Sequence, residues 1–277
     1  MSDQYAVIGN PISQSKSPRI HAAFAIEMQQ DLTYVAIEGR VGGFAQDVDA
    51  FRARGGRGMN VTAPFKLDAF AYATNLSPRA RLAGAVNALR FEGNQVFAEN
   101  FDGVGLVRDM VQNLQCPVAG KRVLILGAGG ATRGALLPFL EQNPAALHIA
   151  NRDVDKAHAV ITELVQASPV YANVLRTSSY ADVEDQFDIV LNATSASLYA
   201  ECPPLAASAF ATGALAYELA YGKGLTPFLK LAQSAGVVHI ADGAGMLVEQ
   251  AAEAFAWWRG MRPSTAGQIA AIAVPLV

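Results

Sequence analysis

The sequence predicts an α/β protein in two parts, each a mostly parallel sheet with helices between its strands. Three observations predict it. Short aliphatic and β-branched runs alternate with longer helical patterns along all 277 residues, as parallel sheets require. The alternation restarts at Lys121, after a segment over residues 103–115 that reads as a connecting helix. With 52% hydrophobic and 16% charged residues, the chain has apolar material for a sizeable core.

In the first part, Tyr5-Ala6-Val7-Ile8 reads as a strand ending in a Gly9-Asn10-Pro11 turn. Ser17-Pro18 opens a helix, with Ser17 as N-cap and Pro18 at the first helical position. Residues 33–37 read as a strand, and 44–54 as a helix stopped by Gly55-Gly56. Residues 59–62 form the next strand, and Pro64 opens another helix. Residues 86–91 and 95–98 flank Glu92-Gly93-Asn94, a hairpin signal, so this sheet ends antiparallel. In the second part, residues 122–126, 146–150, 187–191, 215–219 and 237–240 read as strands, and a long Ala-rich helix follows Gly245. No low-complexity linker or repeat separates the parts; the boundary falls between Asn100 and Gly120.

The formal net charge is −3. That argues against nucleic-acid and anionic-membrane partners, which need a basic face. The start, Met1-Ser2-Asp3-Gln4-Tyr5, has no basic n-region of a signal peptide. No apolar run reaches the roughly 20 residues of a membrane span. The apolar end, residues 269–277, holds Pro275 and reads as a packed terminal helix or tail. Cys116 and Cys202 are isolated, and His21, His148, His158 and His239 are scattered. Neither a disulfide framework nor a metal site is expected. The reading is of a cytoplasmic protein, a monomer or homodimer, acting on small molecules.

Behind the strand at 122–126 comes Gly127-Ala128-Gly129-Gly130-Ala131. A glycine-rich turn between strand and helix brings backbone N–H groups against a pyrophosphate, and the helix N-terminus adds its positive dipole end. The strict GxGxxG pattern fails, because Thr132 stands at the third glycine. The next strand ends at Asn151-Arg152-Asp153. About 20 residues past the glycines, an NAD enzyme carries an acid on the ribose hydroxyls. Here Arg152 comes first, and a guanidinium grips a 2′-phosphate with paired hydrogen bonds. Lys156 and Arg133 are helpers in this reading. It makes the second part a Rossmann-type NADP-binding domain over 102–245. Asp153 would repel a phosphate, which leaves NAD as a weaker alternative.

In the first part, polar residues gather at strand ends, where open α/β sheets place ligands. Ser15 and Ser17 flank a helix start, Asn60 and Thr62 end a strand with Lys66 just beyond, and Asn87, Asn100 and Asp102 follow. Such groups suit a ligand with several hydroxyls and a carboxylate. This reads as a substrate-binding domain over residues 1–101.

The ordered segments Tyr5-Ala6-Val7-Ile8-Gly9-Asn10-Pro11, Ser15-Lys16-Ser17-Pro18, Asn60-Val61-Thr62, Pro64-Phe65-Lys66, Gly84-Ala85-Val86-Asn87 and Asp102-Gly103-Val104-Gly105 resemble the shikimate dehydrogenase family. So do Asn192-Ala193-Thr194-Ser195, Thr226-Pro227-Phe228-Leu229 and Asp242-Gly243-Ala244-Gly245-Met246-Leu247-Val248, and the resemblance covers nearly the whole chain. It implies NADPH-dependent, reversible reduction of 3-dehydroshikimate to shikimate, in aromatic amino-acid (chorismate) biosynthesis, with the active site in a cleft between two domains and the first domain completed by about 246–277. By resemblance, Lys66 and Asp102 are the catalytic pair, and Ser15 and Ser17 bind the carboxylate. Asn60, Thr62, Asn87, Tyr221 and Gln250 match further substrate positions, and Thr194 and Gly243 join Gly127, Ala128, Gly129, Gly130, Ala131, Asn151, Arg152 and Lys156 on the cofactor.

Four positions depart from the family pattern. Phe101 and Ala88 stand where threonines are usual, Ser197 where glycine is usual, and Glu218 where aspartate is usual. Phe101 is expected to add bulk and remove a hydroxyl beside Asp102, and Ser197 to alter the nicotinamide-side loop. Two other readings stay open: a quinate/shikimate dehydrogenase or relative of altered substrate, and a non-catalytic NADP- or shikimate-binding regulatory paralogue. The latter would be expected to lose Lys66 or Asp102.

Overall fold

The computed structural model describes residues 2–277, without the side chain of Leu198. The chain forms two compact units, one of residues 1–105 with 248–271, the other of 106–247 with 272–277.

The first unit opens with β1 (Asp3–Gly9), α1 (Ser17–Glu27), β2 (Leu32–Glu38), α2 (Phe44–Ala53) and β3 (Gly56–Val61). It continues through α3 (Lys66–Tyr72), β4 (Asn75–Leu76), α4 (Pro78–Ala83), β5 (Ala88–Glu92) and β6 (Gln95–Glu99). The sheet order is β2-β1-β3-β5-β6-β4. β1 runs parallel to β2 and β3, whereas β3–β5 and β5–β6 are antiparallel. Phe44, Val48 and Phe51, at i, i+4 and i+7, give α2 one apolar stripe, and all three are buried with Ile8, Met59, Phe65 and Leu89. Each such side chain contributes about 1.5–3 kcal/mol on burial.

Several local readings change here. Ser17 is the first helical residue, not the cap; Lys16 holds the cap position and Pro18 follows within the first turn. Pro64 does not open α3, which begins at Lys66 after the cis Ala63–Pro64 bond. The two-residue β4 is too short to leave a periodic pattern.

The second unit takes up the chain inside α5 (Asp102–Arg108), which continues as a π-turn over Asp109–Asn113. Its strands are β7 (Arg122–Leu126), β8 (Ala146–Ala150), β9 (Leu175–Ser178), β10 (Phe187–Asn192), β11 (Phe210–Glu218) and β12 (His239–Asp242). Helices α6 (Gly130–Leu140), α7 (Val154–Ala167) and α8 (Pro227–Ser234) lie between them in sequence. The sheet is parallel throughout, in the order β12-β11-β10-β7-β8-β9. The central β7 is buried over four of its five residues, which explains its unbroken aliphatic run. The edge strand β9 has a mixed sequence, Leu-Arg-Thr-Ser, with no alternation to read.

The chain leaves this unit inside α9 (Ala244–Arg259), and α10 (Ala266–Ile272) follows. Of the packed terminal helix or tail expected of the apolar end, it is the tail that packs: no side chain of α10 is buried, and Leu276 beyond it lies against the second core.

Candidate active site

In the first unit, Lys66 is the first residue of α3 and Asp102 the first of α5. Lys66 Nζ meets Asp102 Oδ2 at 2.5 Å, with both side chains partly open to solvent. The other carboxylate oxygen accepts from Asn87 Nδ2 at 2.9 Å, and the Asp102 N–H donates to Asn100 Oδ1 at 3.1 Å. Asn87 is buried and both of its Nδ2 hydrogens are used, the second reaching Gln250 Oε1 at 3.3 Å; its Oδ1 accepts from the Phe101 N–H at 2.9 Å and keeps one lone pair. Asn60 Nδ2 donates to the Asn87 carbonyl at 3.3 Å, and Asn60 Oδ1 accepts from the Tyr34 hydroxyl at 2.7 Å. Lys66 comes from the turn after β3 and Asp102 from the turn after β6, while Asn60 lies in β3, Asn87 just before β5 and Gln250 in α9; together they form one polar network.

Ser15 and Ser17 sit together at the start of α1, where the Ser17 N–H donates to Ser15 Oγ at 3.3 Å. Thr62 follows β3, its methyl facing Gly9. Tyr221 belongs to the other unit, exposed in the loop after β11, and partial burial raises its phenol above the ordinary value.

Sequence reasoning passed over the layer beneath Asn60. The buried His21 ring stacks on Tyr34, with centroids 4.1 Å apart and planes at 4°. Neither ring nitrogen makes a hydrogen bond of good geometry among the described residues, though the Asn60 side chain lies beside the ring and opposes the effect of burial. Burial pushes the imidazole down to about 3, so it is neutral near pH 7. Burial also raises the Tyr34 phenol, with Ser17 as a smaller opposing contact.

In the second unit, Gly127 follows β7 at φ +102°, a conformation that favours glycine, with Thr194 close to where a Cβ would project. Gly129 caps α6, Gly130 begins it, and a Cβ at either would meet open space. Ala128 and Ala131 complete the turn. The first-turn N–H groups of α6 have no intrahelical carbonyl to serve, which makes this a cradle for an anion. The break at Thr132 has a reason: its buried hydroxyl donates to the Gly127 carbonyl at 2.7 Å, holding the turn where a third glycine would only have left room.

After β8, Asn151 Nδ2 donates to the Asp153 carbonyl at 2.7 Å. Asp153 is the N-cap of α7; its carboxylate accepts from the Lys156 N–H at 3.3 Å and lies 3.5 Å from Lys156 Nζ. That carboxylate is thus engaged locally, and the exposed Arg152 has no ion pair among the described residues. Arg133, read as a helper, is instead paired with Glu163. Thr194 follows β10, its hydroxyl donating to Asn192 Oδ1 at 2.7 Å. Gly243 follows β12, where any side chain would collide with the Leu219 carbonyl. No group of three or more His, Cys, Asp or Glu residues is placed to hold a metal among the described residues.

Three family models match the chain in order. They are described as the shikimate dehydrogenase substrate binding domain (residues 7–89), shikimate / quinate 5-dehydrogenase (109–201) and the shikimate 5'-dehydrogenase C-terminal domain (243–270). A protein from Aromatoleum aromaticum named shikimate dehydrogenase (NADP(+)) is 54% identical over 98% of this chain and 96% of its own. The chain belongs to the shikimate dehydrogenase family. Among solved structures, an Ael1 enzyme from Pseudomonas putida is 57% identical, with a TM-score of 0.95 over 100% of both chains. A shikimate 5-dehydrogenase from Thermus thermophilus, solved with NADP(H) and shikimate, is 28% identical with a TM-score of 0.85 over 98% of both.

The departures from the family pattern fall into two contacting pairs. Phe101 is buried in a small cluster with Ala88 and Ala254, its ring edge-on to Trp257 at 5.7 Å. The aromatic ring fills apolar space that the small residue at 88 leaves, and the concern that it crowds the polar site is not supported. Ser197 donates its hydroxyl to Glu218, the second departure of that pair. Glu218 is wholly buried, and its carboxylate also accepts from Asn192 Nδ2 at 2.9 Å, Thr226 Oγ1 at 3.1 Å and the Ala220 N–H at 3.2 Å. The longer acid and the added hydroxyl thus tie the loops after β10 and β11 together.

Proposed function

We propose that this chain is an NADP-dependent shikimate dehydrogenase, catalysing the reversible reduction of 3-dehydroshikimate to shikimate, with Lys66 and Asp102 as the catalytic pair. The observation that carries the reading is the Lys66–Asp102–Asn87 network, in which a lysine and a carboxylate are held together by buried amides.

The first unit is the substrate-binding body in this reading. Ser15 and Ser17 receive the carboxylate. Asn60, Thr62, Asn87 and Gln250 receive the ring hydroxyls, and Tyr221, in the second unit, is assigned to substrate by its match to the family motif alone. The second unit holds the dinucleotide. Its fit rests on the open glycine turn at the start of α6, for the pyrophosphate, and on Arg152 and Lys156, for the 2′-phosphate. Asn151, Thr194 and Gly243 complete that wall. When bound, NADPH supplies the hydride. The cysteines Cys116 and Cys202 are free thiols, which agrees with a reducing, cytoplasmic setting.

The chemistry of the chain's own residues follows from hydrogen-bond inventory. An ammonium carries three N–H donors, and Asp102 takes one, so Lys66 Nζ has donors left for the oxygen at the reacting carbon. Charge grows on that oxygen as the ketone is reduced, and a fixed ammonium stabilises it and passes it a proton. Asp102 holds the ammonium in place and shares the proton in the reverse direction. Asn87 fixes Asp102 in turn, through Nδ2 on one side and the backbone N–H of Phe101 on the other.

The test is absorbance at the NADPH band with purified protein, shikimate or quinate, and NADP or NAD. Turnover highest with shikimate and NADP is expected. Turnover highest with quinate would move the chain to the other branch of its family. No turnover with either acid would leave the non-catalytic reading.

A further inference from the structure

We propose that Tyr34, on the edge strand β2, is a positioning residue for substrate: its hydroxyl fixes which end of the Asn60 amide is presented to a ring hydroxyl of shikimate. The proposal rests on the assignment of Asn60 to substrate binding. An asparagine side chain has an acceptor end and a donor end of nearly the same shape, so an unrestrained amide offers either. Here the Tyr34 O–H donates to Asn60 Oδ1 at 2.7 Å, which takes one of its two lone pairs and fixes the orientation of the amide. Nδ2 keeps one N–H for the Asn87 carbonyl, at a long 3.3 Å, and has a second left over. Asn60 is therefore a donor toward its ligand and meets a lone pair of a hydroxyl oxygen.

The same bonds place Tyr34 at the head of a continuous series. It runs from Tyr34 to Asn60, from Asn60 to Asn87, and from Asn87 to Asp102 and Lys66. The Tyr34 ring is also held by stacking, on His21 at 4.1 Å with Trp258 tilted at 6.4 Å, independently of its hydroxyl, which lies near Ser17 as well as Asn60. The neutral imidazole gives it a flat uncharged support. Loss of the hydroxyl should therefore free the amide while leaving the ring where it is.

Tyr34→Phe isolates that hydroxyl. Steady-state kinetics on the whole protein should show KM for shikimate raised about tenfold, as loss of one well-placed hydrogen bond predicts, with kcat and KM for NADP nearly unchanged. Asn60→Ala should raise KM for shikimate at least as much, and the double variant no further. Shikimate analogues lacking one ring hydroxyl give a second readout: for the analogue without the oxygen that Asn60 meets, wild type and Tyr34→Phe should have the same KM. If Asn60→Ala raises KM and Tyr34→Phe does not, Tyr34 has no positioning role. If Asn60→Ala also leaves KM unchanged, Asn60 does not bind substrate, and the proposal falls with that assignment. A Tyr34→Phe protein that binds every analogue equally weakly would make the effect structural and overturn the proposal.

Discussion

Phe101→Thr restores the residue usual in the family, and it should damage the protein instead of improving it. Phe101 is 4% exposed, packed with Ala88 and Ala254 and edge-on to Trp257. Truncating it removes most of a buried ring, and large-to-small core changes of this kind cost about 3–5 kcal/mol when the product is alanine. Threonine retains some volume but brings a hydroxyl into apolar surroundings, so the net loss should be about 2–4 kcal/mol. That should lower the melting transition by roughly 5–15 °C. Ala88→Thr alone overpacks a position with no exposed surface and should cost about 1–3 kcal/mol. The double variant refills the space from the other side, so its loss should be less than the sum by at least about 1 kcal/mol. Differential scanning calorimetry and urea unfolding on the four proteins measure the cycle, and shikimate kinetics accompany it. The backbone N–H at 101 that meets Asn87 survives the change, so KM for shikimate in the folded variant should stay within about twofold. An unchanged melting temperature with raised turnover would refute the packing account and return Phe101 to the substrate site.

Four further outcomes follow from the geometry. Lys66→Ala should lower turnover by about 10²–10⁴-fold with a much smaller change in shikimate binding, and adding Asp102→Asn should cost less than the product of the single effects; additive losses would mean that the two do not work as a unit. Arg152→Ala should raise KM for NADP and erode the preference over NAD, whereas equal use of both cofactors by the unmutated protein would remove Arg152 from that role. Ser197→Ala breaks one of four hydrogen bonds on a buried carboxylate and should cost about 1–3 kcal/mol, read by urea unfolding; no loss would show that Glu218 does not depend on it. His21 has its folded pKa at about 3, below the ordinary 6.5, so its contribution is present above pH 6.5 and is lost as pH falls. The unfolded chain then takes a proton that the folded one refuses, at a cost of about 2 kcal/mol by pH 5. His21→Phe should flatten stability between pH 7 and 5, and an unchanged slope would place the acid sensitivity elsewhere.

The parallel sheets were legible because β7, β8 and β10 are short aliphatic runs bounded by turn residues, and nothing competes with that pattern. The edge elements were not. β4 has two residues, and β9 carries Arg and Thr on an edge where burial does not dictate residue type. At the candidate site, Lys66, Asn87 and Asp102 stood out because of the motifs around them, while periodicity would have left Lys66 a surface lysine. Tyr34 left no signal at all. In sequence it is one more β-forming aromatic in a strand, and its hydroxyl matters only because the register of β1 with β2 and β3 sets it near Asn60. The Asp153 carboxylate was read as a free charge beside a phosphate. Its role as a helix cap depends on the backbone geometry at the start of α7, and capping residues carry the same letters as surface ones.

The four departures from the family pattern have a common physical form. Taken singly, each breaks a rule: a large ring for a small polar residue, a methyl for a hydroxyl-bearing side chain, a hydroxyl for a hydrogen, a longer acid for a shorter one. A buried site has a fixed volume and a fixed hydrogen-bond inventory, so one change creates the deficit that a second must fill. Phe101 and Ala88 balance in volume within one apolar cluster. Ser197 and Glu218 balance in hydrogen bonding, the added hydroxyl supplying a donor to a carboxylate that meets only neutral donors. One pair flanks Asn87 and Asp102 in the first unit, the other falls between Thr194 and Tyr221 in the sequence of the second, and neither alters a polar group assigned to substrate or cofactor. Substitutions that compensate each other in this way leave the polar groups assigned to substrate unchanged, so they give no reason to expect an acid of altered shape in place of shikimate.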